Sequence, residues 1–440
     1  LIAWADSRVL GTGEIALRLP SALAGIVAVP IAWAIGAEIE GPSTATVRRA
    51  AAACAALVAV NPLFVWYSQE ARAYGLFVLT GALAMLCFLR AWRQPTRGRM
   101  AAFALAGALA LLTHYFAVFL LIPMALWLAW QSRTRRAALP VIGALAVVGA
   151  ALLPLISAQG GHGTQWIGRW ALTSRLEAIP QYFLTGYSGS VLGHGIELAV
   201  ALPILAGVGL GLWRMSEPRK LRAAEPPGAR LRLALALAIA ACGVLIPIVL
   251  VGLGADYLAP RNLVAAMIPV TVVIAVLTLW PARSSLPGIA LIAVIVLAFL
   301  AITIDIDLSP RLQRGNWRDL AHDLAQRGEG GIRGGVITTV ELGSTPFEYY
   351  LPGLHGLHPH TAVRVSEIDE TGYAPLRPGA AEPPVPGFHL ASRLNVDGLI
   401  AYRFVSPVPR AVSEETLRLH VITREGPSQV LVPAGSSVSE

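Results

Sequence analysis

The fold class that the 440-residue sequence predicts is a polytopic α-helical membrane protein with a small α/β domain at its C-terminal end. Three observations carry it. Hydrophobic residues make up 55% of the chain and charged residues only 14%, against about 25% charged in an average soluble domain. Mean hydropathy is +0.62. Apolar runs long enough to approach a hydrocarbon core of ~30 Å at ~1.5 Å per helical residue recur through residues 1–305. After Asp305 the hydropathy falls and the periodicity becomes that of a water-soluble module, so the predicted domains are 1–305 and 306–440.

Ten spans follow in order. Ile15 to Ile35 forms the first and carries Arg18, Pro20 and Pro30. Ala50 to Tyr67, interrupted by Asn61-Pro62, and Tyr74 to Leu89 form the second and third. Between them lies the short loop Ser68-Gln69-Glu70-Ala71-Arg72-Ala73, which holds a carboxylate and a guanidinium at the membrane surface, with Tyr67 and Tyr74 placed as interfacial aromatics. Met100 to Thr113 and Phe116 to Trp130 are the fourth and fifth, joined tightly through His114-Tyr115. Ala137 to Ile156 is the sixth, and a long polar, aromatic connection then leads to the seventh, Ile196 to Trp213. Trp166 and Trp170, with Arg169 and Arg175 nearby, suggest a short interfacial helix within that connection. Leu231 to Leu253, Leu263 to Trp280 and Leu286 to Ile304 complete the set.

Basic residues orient these spans, because short cytoplasmic loops accumulate arginine and lysine. With residue 1 outside, the inner loops hold sixteen, namely Arg48, Arg49, Arg90, Arg93, Arg97, Arg99, Arg133, Arg135, Arg136, Arg214, Arg219, Lys220, Arg222, Arg230, Arg232 and Arg283. The outer segments hold six, Arg8, Arg18, Arg72, Arg169, Arg175 and Arg261. The Glu70 loop and the C-terminal module are therefore expected outside. An outside start at Leu1 also leads us to expect a further span upstream.

In the C-terminal module, Asn316 to Arg327 and Thr345 to Tyr350 are helix-like, while Gly335 to Val340, Gly398 to Phe404 and Leu417 to Ile422 are strand-like. Pro352 to Gly387, rich in proline, glycine and histidine, is expected to be loop.

The net charge of +8 does not point to nucleic acid, because the arginines are spread through short loops instead of forming a stripe. Cys54, Cys87 and Cys242 all fall in apolar runs without metal or disulfide spacing; no metal-ligand cluster and no cofactor is read from the sequence, which leaves dependence on a divalent metal open.

Ionisable residues close to membrane depth cost free energy, so their default reading is functional. Glu14, Arg18, Glu70, Arg72, His114, Tyr115, Asp256 and Arg261 gather at the predicted outer ends of the spans. Each has a plainer reading. Glu70 and Arg72 as solvated loop charges, Arg18 as a snorkelling side chain, Arg261 as an anchor for the ninth span, and His114 as a helix cap would need no ligand. In the functional reading the arginines grip a phosphate, and His114 hydrogen-bonds a hydroxyl or passes a proton.

Several segments together carry a family resemblance. Gly13-Glu14-Ile-Ala-Leu-Arg18-Leu-Pro-Ser, Asn61-Pro-Leu-Phe-Val-Trp-Tyr-Ser-Gln-Glu70-Ala-Arg72-Ala-Tyr74, Thr113-His-Tyr-Phe-Ala and Arg261-Asn-Leu, in that order, resemble the GT-C membrane glycosyltransferases. The bacterial family-39-type enzymes, related to protein O-mannosyltransferases and aminoarabinose transferases, are the group most similar. The resemblance implies a polyprenyl-phosphate sugar donor, an acceptor that is protein, lipid or glycan, a site at the outer face of the bacterial inner membrane, and inversion at the anomeric carbon. It also implies an acidic catalytic residue in the first outer loop, which would lie ahead of Leu1, since Asp6 sits in no matching motif. Glu70 and Arg72 are then expected as catalytic residues, and Arg18, Tyr74, His114, Tyr115 and Arg261 as substrate-binding ones. A transporter or lipid flippase with paired broken helices, or a catalytically incomplete scaffold, are the alternatives.

Overall fold

The computed structural model describes residues 7–41, 45–159, 167–168, 170–187, 194–218, 225–282, 284–327, 335–339, 343–373, 376–423, 428–436 and 438–439. Asp6, Trp166, Arg169, Arg219, Lys220, Arg222 and Arg283, used in the sequence reading, lie outside the described residues. The chain divides into two compact units, Leu1–Asp307 and Leu308–Glu440.

The first unit is helical. Its long helices are α1 (Glu14–Glu40), α2 (Ala45–Val60), α3 (Pro62–Ser68), α4 (Tyr74–Arg93), α5 (Arg97–Thr113), α6 (Ala117–Trp130), α7 (Ser132–Gln159), α8 (Leu172–Thr185), α9 (His194–Ser216), α10 (Ala229–Gly252), α11 (Met267–Thr278) and α12 (Leu286–Leu308), with a 3-10 turn at Pro260–Ala266 leading into α11. Seven of these, the 3-10 turn counted with α11, are long and apolar enough to cross a membrane, and residues 49–60 with α3 make an eighth as a bent pair. The fourth and fifth predicted spans are shorter helices, α5 of 17 residues and α6 of 14. Each of the ten predicted runs is thus helical.

The bend of 58° between residues 49–60 and α3 has a local cause. Pro62 at the first position of α3 cannot donate to the preceding turn. Asn61, fully buried, takes over as cap: its side-chain oxygen accepts the Leu63 N–H at 3.0 Å, and its Nδ2 donates to the Phe183 carbonyl at 3.0 Å. The break in span two is therefore tied to α8, the helix of the long connection.

Close approach ties α1 to the end of α3 and the start of α4. A Cβ on Gly25 would meet Ser68 Cβ at 2.6 Å, and one on Gly75 would meet the Ser21 and Tyr67 carbonyl oxygens, each at 3.1 Å. Ser21 Oγ then donates to the Arg72 carbonyl at 3.0 Å. The Glu70 loop is thereby held against the first helix.

The second unit is built on a seven-stranded sheet: β1 (Gly335–Thr339), β2 (Leu354–Gly356), β3 (Ala362–Tyr373), β4 (His389–Val396), β5 (Leu399–Ser413), β6 (Gln429–Pro433) and β7 (Val438–Ser439). The order is β2-β6-β1-β3-β5-β4, with β7 also on β3, and β1 pairs β3 in parallel while every other pairing is antiparallel. Helices α13 (Trp317–Arg327) and α14 (Ser344–Tyr350) cover one face through Leu320, Leu324 and Phe347 against Ile337, Leu399 and Leu431. Val336, Val363, Ile368, Phe404 and Leu417 lie in a second core. That division follows the two-residue period of a strand.

Two sequence expectations fail here. The span Pro352 to Gly387 is not loop, since it contains the twelve-residue strand β3. Its pattern is hidden by a register shift between Val365 and Glu367 and by buried acids that strands usually avoid. Asp369 is bidentate with Arg403 at 2.9 and 3.1 Å, and Glu370 binds His420 Nδ1 at 2.7 Å. Burial holds the Glu370 carboxyl above the ordinary glutamate range although His420 and Arg377 pull it down. Leu417 to Ile422 is likewise not a strand. Helix α15 (Glu414–Leu419) starts there because Ser413 accepts the Thr416 N–H at 3.2 Å with two glutamates in the first turn.

Candidate active site at the Glu70 loop

Helices α3 and α4 end and begin on either side of residues 69–73, so the loop has little backbone freedom. Arg72 Nε lies 3.6 Å from Glu70 Oε1. The two partners differ: 46% of the Arg72 side chain is exposed, as a loop charge would be, while Glu70 is largely covered. Only 17% of the Glu70 side chain is exposed, and its second carboxylate oxygen, Oε2, is buried without a hydrogen-bond partner. A buried acceptor left unmade costs ~1–3 kcal/mol, a cost that an incoming hydroxyl would relieve.

Tyr67 is 2% exposed, so it does not face the headgroups as the interfacial reading expected. Its ring packs on Tyr74 at 4.9 Å, and its hydroxyl, like Glu70 Oε2, is buried without a partner. From Tyr74 the aromatic contacts continue to His114 at 5.8 Å, and His114 stacks on Phe77 at 4.7 Å and neighbours Tyr115 at 6.5 Å.

His114 Nδ1 accepts the Phe116 N–H at 3.3 Å, which leaves the ring proton on Nε2 as a donor. Burial, with Arg261 adding to it, pushes this imidazole down to about 4. At neutral pH it is uncharged, so the geometry supports a hydrogen-bond donor and not a proton relay. Arg261 thus belongs to the same neighbourhood, at the first turn of the 3-10 segment. Its charge also reaches Tyr182 of α8, whose hydroxyl burial raises and Arg261 partly lowers.

Arg18 pairs with Glu14, one turn back on α1, at 4.0 Å, and 49% of its side chain is exposed. The structure brings together Glu70, Arg72, Tyr74, His114, Tyr115 and Arg261; Arg18 stands one turn before Ser21, whose hydroxyl holds the Arg72 carbonyl.

Two features of the site were missed in the sequence. Helix α8 contributes Tyr182, and Tyr187 follows it; Tyr187 stacks on Trp66 at 5.3 Å and meets Tyr182 edge-on at 5.2 Å. The second is a fully formed ion pair. Arg175 of α8 holds Asp256 through two bonds of 2.6 and 2.8 Å and the Leu258 carbonyl at 3.1 Å. Its guanidinium keeps the Asp256 carboxyl below the usual aspartate range. Asp256 was grouped with the ligand-facing charges on sequence; its role is to fasten α8 to the segment that leads into Arg261. Nothing in the spacing of residues 175 and 256 announces that pairing.

The model of the dolichyl-phosphate-mannose-protein mannosyltransferase family matches residues 1–158. Two solved structures share the fold, both of ArnT from Cupriavidus metallidurans. The crystal structure in the apo state superposes with a TM-score of 0.51 at 13% identity, and the one bound to undecaprenyl phosphate with 0.50 at 14%. Each alignment covers 91% of this chain and 86% of the other. No curated protein matches the chain. The expected GT-C resemblance, and with it the polytopic helical fold carrying a C-terminal sheet domain, is borne out.

Proposed function

We propose that this chain, a multi-pass membrane protein of GT-C glycosyltransferase fold, transfers a sugar from a polyprenyl-phosphate donor to an acceptor hydroxyl at the outer face of the inner membrane. The observation that carries the proposal is Glu70 Oε2, a buried carboxylate oxygen with no hydrogen-bond partner beside the Oε1 that Arg72 approaches. In the reaction the acceptor oxygen forms a bond to the anomeric carbon as the carbon–oxygen bond to the lipid phosphate breaks. The acceptor proton passes to the Glu70 carboxylate, and the electron pair leaves with the phosphate. Arg261 and Arg72 balance the charge that grows there, because preorganised cations at a developing oxyanion lower the barrier. The Nε2–H of His114 and the hydroxyl of Tyr74 orient sugar hydroxyls, and Tyr115 lines the same turn. Lipid phosphate as donor is supported by the fold shared with a protein solved with undecaprenyl phosphate bound.

Residues 308–440 would lie on the same outer side as the Glu70 loop. A flippase reading asks for interrupted helices in matching halves; among the described residues there is one bent pair.

The test is transfer of labelled sugar from polyprenyl-phosphate donors in membranes carrying the parent or Glu70→Gln, matched for expression. Loss of transfer with normal insertion supports the assignment. Near-parental transfer by Glu70→Gln would return the loop to an ordinary turn. Sidedness has its own test: a membrane-impermeant thiol reagent should modify a cysteine placed at 256 and spare one placed at 135, and the reverse pattern would invert the arrangement.

A further inference from the structure

The helix ends farthest from Glu70 collect arginine in excess of carboxylate. The turn from α4 to α5 presents Arg90, Arg93, Arg97 and Arg99, and the turn from α6 to α7 presents Arg133, Arg135 and Arg136. The two turns touch, since Arg133 donates to the Arg93 carbonyl. Arg99 donates to the Arg90 carbonyl at 3.3 Å. Glu38, near the end of α1, accepts from Arg90 at 3.2 Å and from Arg93. Among the described residues it is the single carboxylate paired with these seven guanidiniums.

A plainer account covers part of this. Arginines near a helix C-terminus satisfy its last carbonyls and its negative dipole end. That explains one bond each for Arg99 and Arg133, of the five N–H donors each possesses. It does not explain Arg97 or Arg136, which stand exposed at and inside helix starts, where positive charge opposes the dipole. Beside the turns Trp92 and Trp127 pack edge to face at 5.8 Å, and Trp130 projects outward, 78% exposed. Tryptophan in that setting marks the boundary between hydrocarbon and headgroup.

We propose that this two-turn patch binds the phosphodiester headgroup of an anionic phospholipid, with Arg97, Arg99 and Arg133 donating to it and Trp130 lying along the glycerol and upper acyl region. Guanidinium forks suit phosphate oxygens, and the surplus of positive charge selects an anionic lipid over a zwitterionic one. The inference concerns lipid binding at the opposite end from Glu70 and does not depend on the transfer reaction.

The experiment uses the full purified chain in nanodiscs of phosphatidylcholine mixed with cardiolipin or phosphatidylglycerol, with retained lipids counted after extraction and the unfolding midpoint recorded. Anionic lipid should be enriched over phosphatidylcholine around the parent. Arg97→Gln with Arg133→Gln should lower that enrichment by on the order of tenfold or more, at about fivefold for each guanidinium. Arg97→Lys with Arg133→Lys should keep most of it. If the glutamine pair fails to fold, Arg97→Gln alone, which touches no observed internal bond, should lower the enrichment about fivefold. No enrichment, enrichment unchanged by the glutamine variants, or an equal midpoint shift from inorganic phosphate in pure phosphatidylcholine would each overturn the proposal.

Discussion

Two ion pairs stand at the same end of the helical unit and differ in how completely they are satisfied. Arg175 and Asp256 meet through two short parallel bonds, the guanidinium is 3% exposed, and a backbone carbonyl takes a third donor. Glu70 and Arg72 meet at 3.6 Å, with one carboxylate oxygen buried and unused. In the closed pair both carboxylate oxygens are taken and what is left over is the Arg175 Nε–H, a buried donor on the cation, so the pair works by fastening elements. An open pair keeps bonding capacity where a substrate can complete it. Residue type alone does not separate the two, because both are one arginine and one acid in short polar segments.

The comparison can be broken most sharply at the closed pair. Asp256→Ala should leave the Arg175 charge buried and unpartnered and cost ~3 kcal/mol or more, read as a lowered unfolding midpoint in detergent. Arg175→Met should cost less, since Asp256 is 29% exposed and can take water instead. Equal losses from the two variants would show that burial of the guanidinium is not what matters.

Changes at the charges proposed to face substrate should act on transfer and leave stability nearly untouched. Arg261→Ala should weaken donor use by ~1.5–3 kcal/mol if one charge-assisted bond is lost. Arg261→Lys should restore only part of it, because a point charge replaces a fork. Full activity in a folded Arg261→Ala protein would remove Arg261 from the donor site. Glu70→Gln and Arg72→Ala should each lower transfer tenfold or more, ~1.4 kcal/mol of barrier, whereas solvated loop charges would keep both within about twofold.

The remaining effect, which appears only on acidification, is on the stability curve. His114 titrates in the fold at about 4 against ~6.5 in the unfolded chain. Between those values the unfolded state takes up the proton first, so stability that is complete above ~6.5 declines as pH falls toward 4. Asp256, held below its ordinary value by Arg175, keeps its contribution to lower pH and loses it only below ~3.9. Unfolding midpoints across pH 3 to 8 should therefore fall in two stages, and Arg175→Met should erase the lower one while leaving the upper.

What was legible in the sequence is what hydrophobic runs and local breakers encode. Ten apolar runs became ten helical segments because burial in lipid demands a satisfied backbone along each crossing. Asn61-Pro62 showed the break because proline's missing N–H acts within one turn. The closeness of Glu70 to Arg72 was readable since they are two residues apart. The Tyr67 reading failed because a tyrosine at a span end looks the same whether its ring faces headgroups or an inward neighbour such as Tyr74. The bond between Arg175 and Asp256 crosses eighty-one residues, and no periodicity reports on it. In the sheet domain β3 escaped because its buried acids are balanced by Arg403 and His420, residues that lie beyond the strand in sequence.

The strand order of that sheet also fixes when it can exist during biosynthesis. Strand β6, Gln429–Pro433, sits between β1 and β2, and among the described residues β2 pairs with nothing else. The ribosome makes β1 almost a hundred residues before the partner that closes its free side. Until the tail of the chain emerges, β1 and β2 present unpaired edges of the kind that invite mispairing with other chains. Removal of only residues 429–440 should therefore do more than shorten the protein: it should leave the module unable to close, prone to aggregation and open to proteases, while the helical unit made earlier is already in the bilayer.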